Sequence, residues 1–386
     1  MLITSTAALA EFCKRAAQHP YVTLDTEFLR ERTYFAKLCL VQIGYPGLEA
    51  DQVALVDPLA DGISLDPLVE LFENQSVVKV FHAARQDLEI FWHDLKCFPT
   101  PFFDTQIAAM VCGFGDQVGY ETLVRQLAQA QMDKSSRFTD WSQRPLSQKQ
   151  MDYAANDVTY LREIYETLSE RLAKESRYDW VEEEMAALTD PELYDIAPER
   201  AWQRVRMRNS SPKVVAAVMT LAKFRESYAQ SKNIPRARVF KDDALMELAA
   251  TRPKTDKEFN RLRLLTREAR GGAIAEGIKE ALLAANDIPA DAIPKPDRKP
   301  DSSKSSEAIA DMLRVLLKSV SEREKVATKL IANTSELDAI ARGDRDVPSL
   351  KGWRRKVFGD SALRLTQGGT ALTVKQGRVE LVDLND

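Results

Sequence analysis

The chain has 386 residues, 44% of them hydrophobic and 29% charged, which predicts a globular protein of two or three domains, since one ordinary core does not grow that large. Its net charge of −4 hides a split: residues 1–199 carry 17 Lys and Arg against 33 Asp and Glu, whereas residues 200–280 carry 19 against 9, and clustered positive charge is the footprint of a nucleic-acid binder. No apolar run approaches the roughly 18 residues of a membrane span, Met1-Leu2-Ile3 opens no signal peptide, and Cys13, Cys39, Cys97 and Cys112 are scattered without a CxxC, which argues for reduced thiols in the cytoplasm and against a disulfide frame or zinc site.

Tyr21–Asp25, Ala36–Gly44, Val53–Pro58 and Val77–Phe81 read as strands, and Ser64–Glu73, Ala84–Phe91, Asp104–Val111 and Ser147–Ala173 as helices. That order argues for a mixed sheet covered by helices. From about residue 200 the strand signal fades. Pro198–Arg208, Pro212–Gln230, Asp242–Ala250, Asp256–Leu264 and Gly272–Ala285 read as a helical set opened by early Pro or capping Asp. Residues 287–306 are rich in Pro, Ser and charge and read as a linker. Helices follow at Glu307–Val320, Glu322–Leu330 and Ser335–Arg342, and the chain closes on a strand-turn-strand pattern, Ala371–Val374 and Arg378–Val382.

Asp25 and Glu27 stand two apart at the end of the first strand, so period-2 alternation points both carboxylates to one face. Two like charges side by side are unfavourable unless a cation lies between them. Their oxygens are hard ligands suited to Mg²⁺ or Mn²⁺ and not to zinc. Asp87 follows the fourth strand in Phe81-His82-Ala83-Ala84-Arg85-Gln86-Asp87 and opens a helix, where it also suits the helix dipole. Tyr153 and Asp157, at i and i+4, share one helix face. Each feature alone has an ordinary structural reading.

Together, DxE, Hx₄D and Yx₃D form the three-motif pattern of DEDDy exonucleases. The intervening text, Cys39-Leu40-Val41-Gln42-Ile43, Phe103-Asp104-Thr105, Val118-Gly119-Tyr120, Met132-Asp133-Lys134-Ser135 and Asp140-Trp141-Ser142-Gln143-Arg144-Pro145-Leu146, resembles the ribonuclease D family over roughly residues 1–200. The resemblance implies an α/β ribonuclease H-like exonuclease domain, a mixed sheet flanked by helices, over residues 1–198. It implies hydrolysis of RNA from the 3′ end, release of nucleoside 5′-monophosphates, and work on RNA with a single-stranded 3′ end, tRNA precursors above all. It implies two divalent ions: Asp25, Glu27 and Asp157 hold the first, Asp25 is shared, and Asp87 reaches the second partly through water. Tyr153 is then placed to orient the attacking water, because a phenol with an ordinary pKa near 10 is a poor base at neutral pH. A 3′→5′ DNA exonuclease of the same fold and a non-catalytic RNA-binding scaffold are the rival readings; the complete set of four carboxylates and a tyrosine argues against the scaffold.

Five further residues are candidates for substrate contact. His82 lines the pocket or is a structural histidine at a strand end. Phe28 and Leu29 pack on the terminal base or fill core, and Lys134 and Arg137 meet phosphates. Asp104 is expected to cap its helix.

Residues 199–286 resemble an all-α HRDC-like nucleic-acid-binding domain, carried by Ala201-Trp202-Gln203-Arg204-Val205-Arg206, Leu221-Ala222-Lys223-Phe224-Arg225-Glu226 and Asn233-Ile234-Pro235-Arg236-Ala237-Arg238-Val239-Phe240-Lys241-Asp242-Asp243. Trp202, Phe224, Val239 and Phe240 are expected in its core, and its Lys and Arg side chains would grip phosphates. No GxxxxGK[ST] loop is present to cradle ATP. Residues 307–386 are expected to form a small, mostly helical C-terminal domain, a second HRDC-like unit ending in a β-hairpin, in which Trp353, Arg354 and Arg355 either touch RNA or form a packed helix edge. The expected protein is a cytoplasmic monomer.

Overall fold

The computed structural model describes residues 1–386 except 48–49, 134, 138, 208–210, 295–303 and 385–386. Lys134, Arg208 and residues 295–303 of the expected linker therefore lie outside the described residues.

The chain opens with β1 (Leu2–Ile3), α1 (Thr6–Ala16), β2 (Tyr21–Leu29), β3 (Lys37–Gly44), β4 (Val53–Val56), α2 (Asp66–Glu73), β5 (Val78–Phe81), α3 (Arg85–Leu95), β6 (Phe102–Asp104) and α4 (Thr105–Val111). The six strands form one mixed sheet in the order β1-β4-β3-β2-β5-β6. β3 runs antiparallel to β2 and β4, and the remaining pairs are parallel. Every residue of β3 after Lys37 is buried, as its near-continuous apolar run requires of a strand covered on both faces. β2 continues four residues beyond the expected Asp25. β1 and β6, two and three residues long, are too short for periodicity to reveal.

Helices α5 (Tyr120–Leu127), α6 (Gln148–Glu175) and α7 (Tyr178–Ala186) complete this region. The Ser147/Gln150 capping box starts α6, and Ala154, Asp157, Val158, Leu161, Ile164, Leu168 and Leu172 form its buried stripe. That stripe lies on the sheet closely enough for the Thr23 hydroxyl to donate to the Val158 carbonyl at 2.8 Å. Gly44 makes the approach possible: a Cβ there would lie 2.7 Å from Thr23 Oγ1 and 3.5 Å from the Val158 carbonyl oxygen.

A 3₁₀ turn (Pro198–Arg204) precedes α8 (Pro212–Lys232), α9 (Arg236–Val239), α10 (Asp242–Thr251), α11 (Asp256–Phe259) and α12 (Gly272–Ala284). Val239 and Phe240 are buried, and Trp202 and Phe224 pack against the same apolar cluster. The helix expected over Asp256–Leu264 stops at Phe259. Side chains satisfy the backbone beyond it: Glu247 accepts from the Arg263 and Leu264 amides at 3.2 and 3.1 Å, and Arg270 donates to the Leu262 and Leu265 carbonyls at 2.6 and 3.1 Å. With those groups paired, the segment needs no helical ladder.

The C-terminal segment comprises α13 (Lys304–Glu324), α14 (Thr328–Ile331), α15 (Thr334–Ala341), α16 (Gly352–Arg354), α17 (Asp360–Thr366) and the hairpin β7 (Thr370–Lys375)–β8 (Arg378–Asp383). Its Leu313, Leu316, Leu317 and Val320 share one apolar cluster with α4 through α7. Trp353 stacks on Trp180 with ring centroids 4.5 Å apart, and Arg354 is ion-paired to Glu183 and Glu184. Trp353 and Arg354 thus form a packed interface and present no free face to RNA. Among the described residues no helix is long and apolar enough to cross a membrane.

Gly44→Ala is expected to lower stability by about 1–3 kcal/mol, the usual cost of overpacking, because the added methyl collides with the Thr23 hydroxyl and displaces it from the Val158 carbonyl. Chemical denaturation followed by circular dichroism measures it, and an unchanged midpoint would refute the close-packing argument.

Candidate active site

Three elements bring the candidate residues together. β2 supplies Asp25 and Glu27, opposite Gln42 and Leu40 of β3. α3 supplies Asp87 from its first turn, and α6 supplies Tyr153 and Asp157. The turn that launches α3 is fixed by Asp104, whose carboxylate accepts from the Ala83 and Ala84 amides at 3.0 and 2.9 Å and from Gln106 N at 2.8 Å. Asp104 therefore caps α4, as expected, and also holds the left-handed Ala83 (φ 59°) ahead of Asp87. Asp87 in turn accepts a 2.5 Å hydrogen bond from the hydroxyl of Thr26, the residue between Asp25 and Glu27.

A cavity of about 270 Å³ opens at this junction, with Asp25, His82, Tyr120, Arg137, Tyr153 and Asp157 in its wall. Glu27 and Asp87 are not in that wall, but the charge of Glu27 adds to burial and Asp157 in raising Tyr153 within it, and Asp87 adds to the rise of Glu27. Burial, then Asp157, pushes Asp25 well above the ordinary carboxylate range. Burial, then Asp25, Asp157 and Asp87, pushes Glu27 up to about 10, and Arg137 opposes the rise. Burial, then Asp25, raises Asp87 against the Thr26 hydrogen bond. Burial raises Asp157, again against Arg137. Four carboxyls raised by burial, three of them also by a neighbouring carboxylate, call for positive charge among them.

Among the described residues no group of three or more His, Cys, Asp or Glu side chains is placed so that it already encloses a metal ion; Asp87 is turned to Thr26. The donor set nonetheless fits a hard divalent cation, being all carboxylate oxygen and mutually repulsive.

The remaining candidates divide. His82 is in the cavity wall, with Nδ1 3.0 Å from Thr105 Oγ1 and Nε2 buried without a hydrogen-bond partner. Phe28 and Leu29 are half-buried and pack on the neighbouring apolar clusters, away from the cavity wall. Two residues that sequence reasoning left without a role prove central. Tyr120 lines the cavity and donates to the Asn156 carbonyl at 3.0 Å. Arg144 grips Asp57 through Nε and Nη2 at 2.6 and 2.7 Å, and also donates to the carbonyls of Cys39, Trp141 and Gln143. It thereby ties the segment before α6, which contains Arg137, to β3 and to the end of β4. The motif around Arg144 was visible in the sequence; its partner 87 residues away was not.

Residues 1–173 match the family model described as 3′-5′ exonuclease, and residues 216–271 match that of the HRDC domain. Fold and site thus define a 3′→5′ exonuclease joined to an HRDC module. Ribonuclease D of Jannaschia sp. (strain CCS1) is 58% identical over 382 residues, covering 99% of each chain. Ribonuclease D of Nitrobacter hamburgensis is 46% identical over 383 residues, again covering 99% of each. The crystal structure of Escherichia coli RNase D is similar with a TM-score of 0.83 and 27% identity, covering 95% of this chain and 98% of that one. The chain belongs to the ribonuclease D family and is a hydrolytic 3′→5′ exoribonuclease. Its exonuclease fold implies the use of divalent metal ions.

Arg144→Met is expected to cost about 3 kcal/mol at pH 7, because it leaves the buried Asp57 carboxylate unpaired. Burial alone would raise Asp57, but the Arg144 hydrogen bond, the Leu59 amide and the Arg144 charge outweigh it and hold the group below its ordinary 3.8. A depressed carboxyl stabilises the fold above its unfolded pKa and loses that contribution as pH falls. The gap between wild type and variant should therefore narrow below about pH 4, as urea melts at pH 7 and pH 3 would record; a gap independent of pH would rule out the ion pair as its source.

Proposed function

We propose that residues 1–198 cleave RNA one nucleotide at a time from its 3′ end with two divalent ions, while residues 199–286 grip the RNA backbone. The observation that carries the reading is the convergence of Asp25, Glu27, Asp87 and Asp157 from three elements, Asp25 and Asp157 in the cavity wall and Glu27 and Asp87 linked to them by charge. These four side chains would hold the ions, Mg²⁺ or Mn²⁺, after closing inward from their present arrangement. When bound, such ions lower the pKa of water and stabilise the leaving 3′ oxygen.

The protein's own groups do the rest. Burial, then the charge of Asp157, pushes the Tyr153 phenol above its ordinary value, so it stays protonated and donates a hydrogen bond; it positions the attacking water and does not take its proton. Arg137 faces the same carboxylates and meets the non-bridging oxygens of the scissile phosphate. His82 and Tyr120 line the space for the terminal nucleoside. Escherichia coli RNase D is described as an exoribonuclease involved in structured RNA processing, which supports tRNA precursors as the substrate. Four free, buried cysteines suit the reducing cytoplasm.

The test uses 5′-labelled single-stranded RNA, the same sequence as DNA, and a tRNA with a short 3′ extension. Stepwise 3′ shortening of RNA should depend on added Mg²⁺ or Mn²⁺ and stop with EDTA. Asp25→Asn should slow it on the order of 10³-fold and Tyr153→Phe on the order of 10²-fold. Faster trimming of the DNA would favour the deoxyribonuclease, and an Asp25→Asn variant as active as wild type would remove the carboxylate site from the reaction.

A further inference from the structure

The HRDC module touches the exonuclease domain at one conspicuous place, the loop between β2 and β3. This loop, residues 30–36, begins just beyond Glu27 and carries Tyr34. The Tyr34 ring packs against the core of the HRDC module. Its hydroxyl is hydrogen-bonded to Glu226, a carboxylate with no exposed surface, and accepts from Gln230 Nε2 at 3.2 Å. Burial, then the bond to Glu226, pushes the Tyr34 phenol up to about 12, so it remains a donor. The backbone is held as well: the Tyr34 and Phe35 amides both donate to Asn233 Oδ1 at 3.0 Å. Asn233 ends α8 in the left-handed conformation, with φ at 47°, which fixes the direction of its side chain.

The other side of the loop is anchored to α3. Arg30 pairs with Glu89 through two hydrogen bonds at 2.8 and 2.5 Å, and Phe35 packs on His93 with ring centroids 4.7 Å apart. The loop thus joins the HRDC module to the strand that carries Asp25 and Glu27 and to the helix that carries Asp87. Its grip matters because the β2–β3 ladder shifts register between Glu27 and Phe28. Glu27 pairs with Leu40 and the ladder resumes at Phe28 with Leu38. A bulge between two paired residues bends the strand and re-aims the side chain beside it, so the anchors of the loop beyond it bear on the direction of Glu27.

We propose that Tyr34 and Asn233 are positioning residues, through which the docked HRDC module holds the end of β2, and with it Glu27, in catalytic register. The module is then part of the catalytic scaffold as well as a grip on RNA. The proposal rests on the assignment of Glu27 to the catalytic carboxylates, so Glu27→Gln is its control.

The experiment uses the full chain as wild type, Tyr34→Ala, Tyr34→Phe, Asn233→Gly and Glu27→Gln. Each is assayed on a dinucleotide, which fills only the active site, and on a 30-nucleotide single-stranded RNA, well below the melting temperature of every variant. Tyr34→Ala should lower kcat on the dinucleotide on the order of 10–100-fold, as small misplacements of catalytic groups do, with KM within about twofold. Tyr34→Phe, which keeps the ring, should recover much of that loss. Without substrate, the Asp25–Phe28 amides of Tyr34→Ala should exchange hydrogen faster than in wild type. Normal dinucleotide kcat in Tyr34→Ala, with only the KM for long RNA raised, would overturn the proposal and leave the module a grip alone. Undiminished activity in Glu27→Gln would instead overturn the carboxylate assignment beneath it.

Discussion

Everything in this structure bends around the cost of placing four carboxyls where water cannot solvate them well. Burial raises all four of Asp25, Glu27, Asp87 and Asp157 above their ordinary pKa, and neighbouring carboxylates add to the rise in Asp25, Glu27 and Asp87. Such a set does not assemble for stability; it persists because the surrounding fold over-determines it. α6 is pinned to β2 by Thr23 and the bare backbone of Gly44. The entry to α3 is pinned by Asp104. The approach to α6 is pinned by Arg144 on Asp57. Each pin uses a hydrogen bond or a close backbone approach, and each lies on an element that presents one of the carboxylates or leads into it.

The division between what the sequence disclosed and what it concealed follows the range of the interactions. Asp25 and Glu27 were legible as a pair because strand periodicity alone puts them on one face, and Tyr153 and Asp157 because helix periodicity does the same. Apolar runs such as Leu38–Ile43 announced their strand because a sheet covered on both sides admits little else there. The convergence of the pairs was carried by motif spacing, not by any physical rule connecting Asp25 to Asp157. The pins stayed hidden. Nothing local marks Arg144 as the partner of Asp57, or Tyr34 as the partner of Glu226, 192 residues away. The helix expected over Asp256–Leu264 failed for the same reason: its continuation lost to Glu247 and Arg270, side chains that local propensity does not weigh.

The C-terminal segment shows how burial reassigns residues that look functional. Trp353, Arg354 and Arg355 stand together in the sequence as an aromatic and two cations, a combination that suits a nucleic acid. In the fold, Trp353 lies flat on Trp180 and Arg354 is committed to two glutamates of α7. The same segment reaches α4, where the Ala327 amide donates to the Met110 carbonyl at 2.9 Å and the Lys325 carbonyl lies so close to Gly113 that a Cβ there would stand 2.6 Å from it. Its shared apolar cluster with α4 through α7 makes it a buttress of the exonuclease domain.

Charge then explains why one chain carries both an exonuclease domain and a basic module. Residues 1–199 hold 33 acidic against 17 basic side chains, a balance that on the whole repels a polyanion. Residues 200–280 hold 19 basic against 9 acidic, and in the proposed function they supply the attraction that brings a phosphate backbone near. An attraction of that kind is indifferent to sequence and weakens with salt, so it delivers RNA without choosing it. In the proposed function, selection of a free 3′ end falls to the cavity, whose wall includes Tyr120, His82 and Arg137. The module that carries this charge is docked on the β2–β3 loop through Tyr34, Glu226 and Asn233, the loop that follows the strand bearing Asp25 and Glu27.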